Sequence, residues 1–452
     1  MANQDADAVL PRYKGKKCWM PEGLPSTAEP WRLGGERAAG KAHRQRSDFS
    51  AVMNRAASLS PLKWPKRPVY FVSDPHADAA AFSASLVASG GVKKTGPEHD
   101  AFALTKPGRQ GLFVIGGDCL DKGPSNLDLL RSVKALFDTG ARVKLLAGNH
   151  DVRLLMGLRA LEEPRSPETE HLFVRMGSKV VPLLREIHDT YLKARTKPLK
   201  GIPSAEECRR RLFPSDNWFE TFPPQAGRLM SQRNIERELS RMRKKVDTFE
   251  DACQKAGLSM REVYATALEA KAQFMHRKGD FAWFFRAMQL AHREGSFLFI
   301  HAGLDDGITE VIELESVKSL NRMFDDQIKH DLFEFYYGTL ANTMRTKYRK
   351  VDLPLTRQGV DRAFRQGVHA VVHGHINHTT GQHIMLRQGM MHIEGDITLD
   401  RNSRRKEGLE GHGVGVTIIH PDGKVIGISN DHPHAKVFEP ARHLSPADAL
   451  SF

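Results

Sequence analysis

Asp74 and His76, Asp118 and Asp121, Asn149 and His150, His301 and His375 all stand where a short apolar run breaks off into a polar turn. Oxygen and imidazole donors without a thiolate suit manganese, iron or zinc better than a soft metal. Two divalent ions can share Asp118 as a bridging carboxylate, at the roughly 3.5–4 Å separation of two-metal hydrolytic sites. Several carboxylates in one crevice repel one another, and cation charge makes such a cluster favourable. Leu146-Ala147-Gly148-Asn149-His150-Asp151 is the most pointed of these stretches. Asn-His-Asp alone is a common turn, but at a strand's carboxyl end it lies where open α/β sheets keep their chemistry.

Holding these residues in place requires strands. Residues 68–72, 111–115 and 143–147 are short runs rich in β-branched, aromatic and leucine side chains, each ending in one of the polar turns. Residues 78–88 and 126–138 read as helices, the second stopped by Gly140. This alternation indicates an α/β sheet with its loops on one edge. From 152 to 294 the chain changes to long amphipathic, charge-laced helices such as 232–256 and 259–277. Ile202-Pro203 and Phe222-Pro-Pro224 read as breaks, and 212–219 as a connector. Strands return at 296–300, ending in His301, and at 370–372, ending in His373-Gly374-His375. Runs at 390–393, 414–419 and 425–428 follow, separated by turns such as Pro421-Asp422-Gly423. The expected organisation is a basic, partly disordered arm over 1–66, a core over 67–156 and 295–430, a helical insertion over 157–294, and a weakly structured tail over 431–452. Trp19, Trp31 and Trp64 could pin the arm to the body.

The ordered series Asp74-Pro-His76, Gly117-Asp118-Cys-Leu-Asp121, Gly148-Asn149-His150-Asp151, His301 and Gly374-His375 resembles the calcineurin-like metallophosphoesterase superfamily. His301-Ala-Gly-Leu and Gly-Asp-x-x-Asp-Lys-Gly-Pro are most similar to its phosphoprotein phosphatase and diadenosine tetraphosphatase branch. The resemblance implies an αββα sandwich of two mixed sheets, here with a large helical insertion. It implies two divalent metal ions, manganese foremost with iron or zinc as alternatives. Asp74 and His76 would hold the first, Asp118 would bridge, and Asn149, His301 and His375 would hold the second. A hydroxide bridging both ions would attack phosphorus in line. His150 would protonate the leaving oxygen, with Asp121 orienting its imidazole. Lys122 would meet the phosphate in place of the family's arginine, a point charge replacing a bidentate fork. Ser73 and Ala77 replace glycines around the first motif, and Asn377 stands where phosphodiesterase members carry a second histidine.

Nearby residues leave alternatives open. His375 is preferred to His373 as the ligand, with His373 and His378 read as solvated loop histidines. Asp396 reads as a turn carboxylate, and Arg153 as a loop anchor more than a substrate contact. Arg345 or Arg357 could supply a second phosphate clamp. The 67 Lys and Arg against 54 Asp and Glu set a net charge of +13. This basicity suits anionic substrates; without an RNP-like or zinc-finger pattern a nucleic-acid partner is not favoured. No apolar run is long enough for a membrane span, and no signal-peptide pattern opens the chain. Cys18, Cys119, Cys208 and Cys253 form no CxxC pair, which suits a reducing cytoplasm. The expected activity is metal-dependent phosphoric-ester hydrolysis of a phosphoprotein or nucleotide monoester. Its rivals are a dinucleoside polyphosphate hydrolase and a non-catalytic scaffold binding through the insertion and basic arm.

Overall fold

Strands that are apolar on both faces must be covered on both sides. In the computed structural model, which describes residues 10–11, 21–33 and 49–443, β1 (Ala28–Pro30), β2 (Val69–Val72), β3 (Val92–Lys94), β4 (Phe102–Leu104), β5 (Leu112–Ile115), β6 (Arg142–Leu146) and β7 (Met288–Gln289) come first. They are followed by β8 (Ala291–Glu294), β9 (Phe297–Ile300), β10 (Ala370–His373), β11 (His383–Arg387), β12 (Met390–Glu394), β13 (Gly415–His420), β14 (Lys424–Ser429) and β15 (Ala435–Phe438). One sheet runs β1-β15-β14-β13-β2-β5-β6-β7, a second runs β11-β12-β10-β9-β8, and β3 and β4 form a small ribbon. Both large sheets are mixed. Parallel β2, β5, β6 and β7 adjoin antiparallel β13, and parallel β9, β10 and β12 are flanked by antiparallel β8 and β11.

The two-residue period of a strand divides the core. Val69, Phe71, Leu112 and Val114 pack with Phe297, Phe299, Val372 and Ile393 of the other sheet, and Phe71 lies 5.9 Å from Phe299 between ring centroids. The alternate residues Tyr70, Val72, Phe113 and Ile115 belong with Phe82, Leu86 and Leu130 of the covering helices. The result is the expected sandwich, and the parallel strands bring their carboxyl ends to one edge. No helix among the described residues is long and apolar enough to cross a membrane.

Several segments differ from the sequence reading. The arm contains a helix, Phe49–Leu59, anchored by buried Phe49, Met53 and Ala56; three apolar residues in so short a helix leave little periodicity to read. The arm and the tail also meet as strands, β1 pairing in parallel with β15, and β15 with β14. An open sheet edge exposes unpaired backbone groups, which a neighbouring strand of either direction satisfies. Trp31 is buried and Trp64 packs on Phe297 at 5.1 Å; Trp19, like residues 34–48 and 444–452, lies outside the described residues. Sheet structure resumes at Met288 rather than at 295. Phe222-Pro-Pro224 is no break, because the helix Trp218–Ala226 runs through it. Trp218 and Phe222, one turn apart, are fully buried with ring centroids 4.4 Å apart, and that burial outweighs the backbone bonds the prolines forgo.

A buried polar network joins the insertion to the core. His171 Nε2 lies 2.9 Å from the Tyr337 hydroxyl, which donates to Glu238 at 3.1 Å. Arg175 donates to the same carboxylate at 3.2 Å. Burial pushes Glu238 up, but the Arg175 guanidinium brings it down to about 2. A depressed carboxyl contributes stability above its unfolded value, 4.5, that is lost as pH falls toward 2. Glu238→Gln leaves Arg175 buried without its counter-charge, at an expected cost of about 3–5 kcal/mol at neutral pH. Thermal melts of both proteins should show the gap narrowing from pH 4.5 down to 2; a gap independent of pH would contradict the assignment.

Candidate active site

The strand-end loops carry an unusual backbone. Asp74, His76, Asp118, Asp121, Lys122 and His375 all have positive φ, between 39° and 71°, a region non-glycine residues seldom adopt and which clusters at functional sites. Tight packing holds it in place. A Cβ on Gly148 would run into Asp118, and one on Gly374 into Asp74 and Ser73. Asp151, fully buried, accepts from the backbone N–H groups of Cys119, Leu120 and Gly148, tying the second and third motif loops together.

This packing gathers two triads of potential metal donors that share one residue. Asp74, His76 and Asp118 each bring a donor atom within 4.8 Å of the others, as do Asp118, His301 and His375. Each histidine spends one ring nitrogen on a backbone carbonyl: His76 Nδ1 on Leu120 at 3.0 Å, His301 Nδ1 on Gly116 at 2.8 Å, and His375 Nε2 on Arg345 at 3.2 Å. The other nitrogen of each then faces inward, the orientation that metal-ligating histidines use. His301 Nε2 is buried with no hydrogen-bond partner, 3.5 Å from Asp118 Oδ1. The Asn149 side-chain oxygen stands 2.9 Å from His375 Nδ1, two acceptors facing, unless the amide is rotated to donate there. A cation between them satisfies both.

The electrostatics agree with that donor set. Burial pushes Asp74 well up, reinforced by Asp396 and Asp118. Asp118 is held well below the usual carboxylate range, burial being overcome by His301 and His150. Burial lowers His76 to about 3, with Lys122 adding to it, and holds His375 well below its ordinary value, with His301 adding to it; both are therefore neutral and free to ligate. His301 is carried up to about 10 by Asp118 and Asp74 despite its burial. Asp74 is thus pushed toward its neutral form and His301 toward its charged one, an arrangement that a divalent ion beside them would reverse.

His150 sits beside the triads. Its Nδ1 lies 2.6 Å from Asp121 Oδ2 and its Nε2 3.9 Å from Asp118, while its backbone N–H donates to Asp118 at 2.8 Å. Burial raises Asp121 to about 7 and pushes His150 down, so the pair shares a proton instead of separating charge. Asp121 is itself braced from the insertion. Its N–H donates to Asn126, and Glu186 accepts from Ser125, Asn126 and Leu127.

Asp74, Asp118, Asn149 and His375 open onto a cleft of about 900 Å³ whose lining includes Arg153, Lys179, Arg237, Arg241, Lys245 and Arg345. The structure brings Arg345 to the cleft, whereas Arg357 begins the helix Arg357–Arg365 outside it. Arg153 forms no ion pair among the described residues, so it is not the loop anchor its position suggested. Lys122 lines the cleft with its ammonium 2.5 Å from His76 Nε2. Asp396 is a turn carboxylate, accepting from Thr398 N–H at 2.9 Å, yet it also lines the cleft. His373 and His378 are not solvated. Both are buried around Glu394, at 3.8 and 2.7 Å, because the second sheet closes over them. Sequence reasoning missed the cleft's insertion wall, whose signal is the four-residue spacing of Arg237, Arg241 and Lys245.

Residues 67–233 match the family model described as calcineurin-like phosphoesterase. The matched segment contains the Asp74, Asp118 and Asn149 motifs, and the fold brings His301 and His375 to them from beyond it. Two relatives named bis(5'-nucleosyl)-tetraphosphatase, symmetrical, from Vibrio campbellii and Shigella dysenteriae serotype 1, are each 30% identical over 110 and 117 residues. Those stretches cover 22% and 23% of this chain and 39% of each relative, so the chain matches about two fifths of their length. A solved cold-active protein-tyrosine phosphatase of a psychrophile Shewanella overlaps 92% of both chains at 13% identity and a TM-score of 0.41. So loose an overlap says nothing about chemistry.

Gly374→Ala tests whether the strand-end loops are packed for metal. It should weaken Mn²⁺ binding about 10–100-fold, as loss of ligand support does, with an unchanged circular dichroism spectrum. Calorimetric titration with Mn²⁺ reads this, and undiminished affinity would contradict it.

Proposed function

We propose that the chain is a metal-dependent phosphoric-ester hydrolase acting on a phosphomonoester of a protein or nucleotide. The observation that carries this reading is the pair of ligand triads sharing Asp118, with the His150–Asp121 pair alongside. Asp74, His76 and Asp118 would hold one divalent ion, and Asp118, Asn149, His301 and His375 the other. Manganese, iron and zinc all suit these oxygen and imidazole donors. Such ions supply Lewis acidity and lower the pKa of water toward neutrality.

The chain's own residues do the remaining work. The backbone carbonyls of Leu120, Gly116 and Arg345 fix the three imidazoles. His150 delivers a proton from Nε2 to the leaving oxygen, and Asp121 holds Nδ1. Arg345 and Arg153 orient the phosphate from the cleft wall. Lys122 joins them by swinging off His76, since an ammonium and a metal ion would repel on one nitrogen. In this reading 67–156 and 295–430 form the catalytic core and 157–294 the insertion that walls its entrance. The buried free thiols Cys119, Cys208 and Cys253 fit a reducing cytoplasm. A second reading, dinucleoside polyphosphate hydrolysis, is favoured by the names of the two relatives.

Para-nitrophenyl phosphate turnover should require Mn²⁺ and stop with chelator. Asp118→Asn should abolish it, and His150→Asn should lower kcat by about 10²–10⁴-fold, the usual share of general acid catalysis. Metal-indifferent turnover, or an active Asp118→Asn protein, would refute the proposal.

A further inference from the structure

The insertion wall of the cleft has a regularity that hydrolysis of a single phosphate does not use. Asn234, Arg237, Arg241, Lys245 and Thr248 of the helix Gln232–Lys255 all line the cleft. Their spacing of three and four residues places them on one helix face. At 1.5 Å per residue, Arg237 and Lys245 stand about 12 Å apart along the axis. Arg153 and Lys179 line the same cleft. Resting on the hydrolase reading, we propose that this face is a track for a linear phosphate chain whose terminal phosphate lies at the metal centre.

Charge accounting supports the track. Three other basic residues of the cleft are paired, Arg175 with Glu238, Arg228 with Glu168 and Arg349 with Asp352. Arg153, Lys179, Arg237, Arg241 and Lys245 form no ion pair among the described residues. They also act on one another. Burial lowers Lys245 to about 7, with Arg175 and Arg153 adding to it, and burial, Lys122 and Arg153 lower Lys179. Cations crowded in a partly dry groove are unfavourable alone and become favourable around a multiply charged anion. A single phosphate held by Arg345 and Lys122 leaves the row unneutralised. Nucleic acid fits less well. Tyr337 is the one Phe, Tyr or Trp residue in the lining, and its hydroxyl is committed to Glu238; single strands need aromatic faces on which bases stack.

Calorimetric titration of the full chain, with chelator present, compares tripolyphosphate with orthophosphate. Tripolyphosphate should bind at least about tenfold tighter, as added charge-assisted contacts imply. The double variant Arg237→Gln, Arg241→Gln should erase that preference, while Arg237→Lys, Arg241→Lys should keep it, with melting curves confirming that both fold. Equal affinities in the unaltered protein, an unchanged preference in the glutamine variant, or tighter binding of a single-stranded oligonucleotide of matched charge would overturn the proposal. Diadenosine tetraphosphate binding as tightly as tripolyphosphate supports a nucleoside-capped chain, and much weaker binding supports a free one. Para-nitrophenyl phosphate turnover by the Mn²⁺-loaded protein separates the two claims. Turnover without tripolyphosphate preference removes the track alone, and preference without turnover removes the hydrolase reading alone.

Discussion

Asp118 is a buried carboxylate that must serve two neighbourhoods at once. It belongs to both ligand triads and accepts from the His150 backbone. Unpaired, such a charge would be costly inside a protein, so everything around it is arranged to compensate. Its positive φ turns the carboxylate to where both triads reach it, and Gly148 leaves room for the loop to pass. Asp151 then locks the loops from behind. Remove this shared oxygen pair and two half-sites remain, each with too few donors.

The sheets and the insertion divide the labour between them. Parallel strands deliver acids and imidazoles to a common edge, where rigid neighbours hold them within reach of one another. The insertion contributes charge along the cleft and also bears on the chemistry directly. Glu186 clamps Asn126, whose amide oxygen receives the Asp121 N–H, and Asp121 holds His150. The Glu238 network fastens the same block to the core through Tyr337. A helical block docked through buried charges is held in one position, because shifting it would strand those charges without partners.

The surplus of positive charge acquires meaning in the same way. In sequence it is a balance of 67 against 54 spread through mixed-charge helices. In the fold many exposed arginines pair off, as Arg210 does with Glu207, while Arg237 and Arg241 of the cleft wall form no ion pair among the described residues. Local pairing thus turns a diffuse excess into a directed one.

Most of the candidate donors could be read from the chain alone, because Asp-x-His, Gly-Asp-x-x-Asp and Gly-Asn-His-Asp are each contiguous and each follow a strand whose composition announces it. The choice of His375 was similarly local, resting on the Gly-His turn. The arm strand β1, the edge strand β15 and the helix through Pro223 were not legible, since pairing partners hundreds of residues away, or aromatic burial against them, override weak local preference. His373 and His378 looked solvated for the same reason: the sheet that buries them is assembled from distant segments. The sequence by itself determined which atoms are available for chemistry, a property of residue type and short spacing. Only the tertiary structure decided which of them meet, which arginines lack partners, and which way each imidazole faces, because those depend on contacts between segments that share no neighbourhood along the chain.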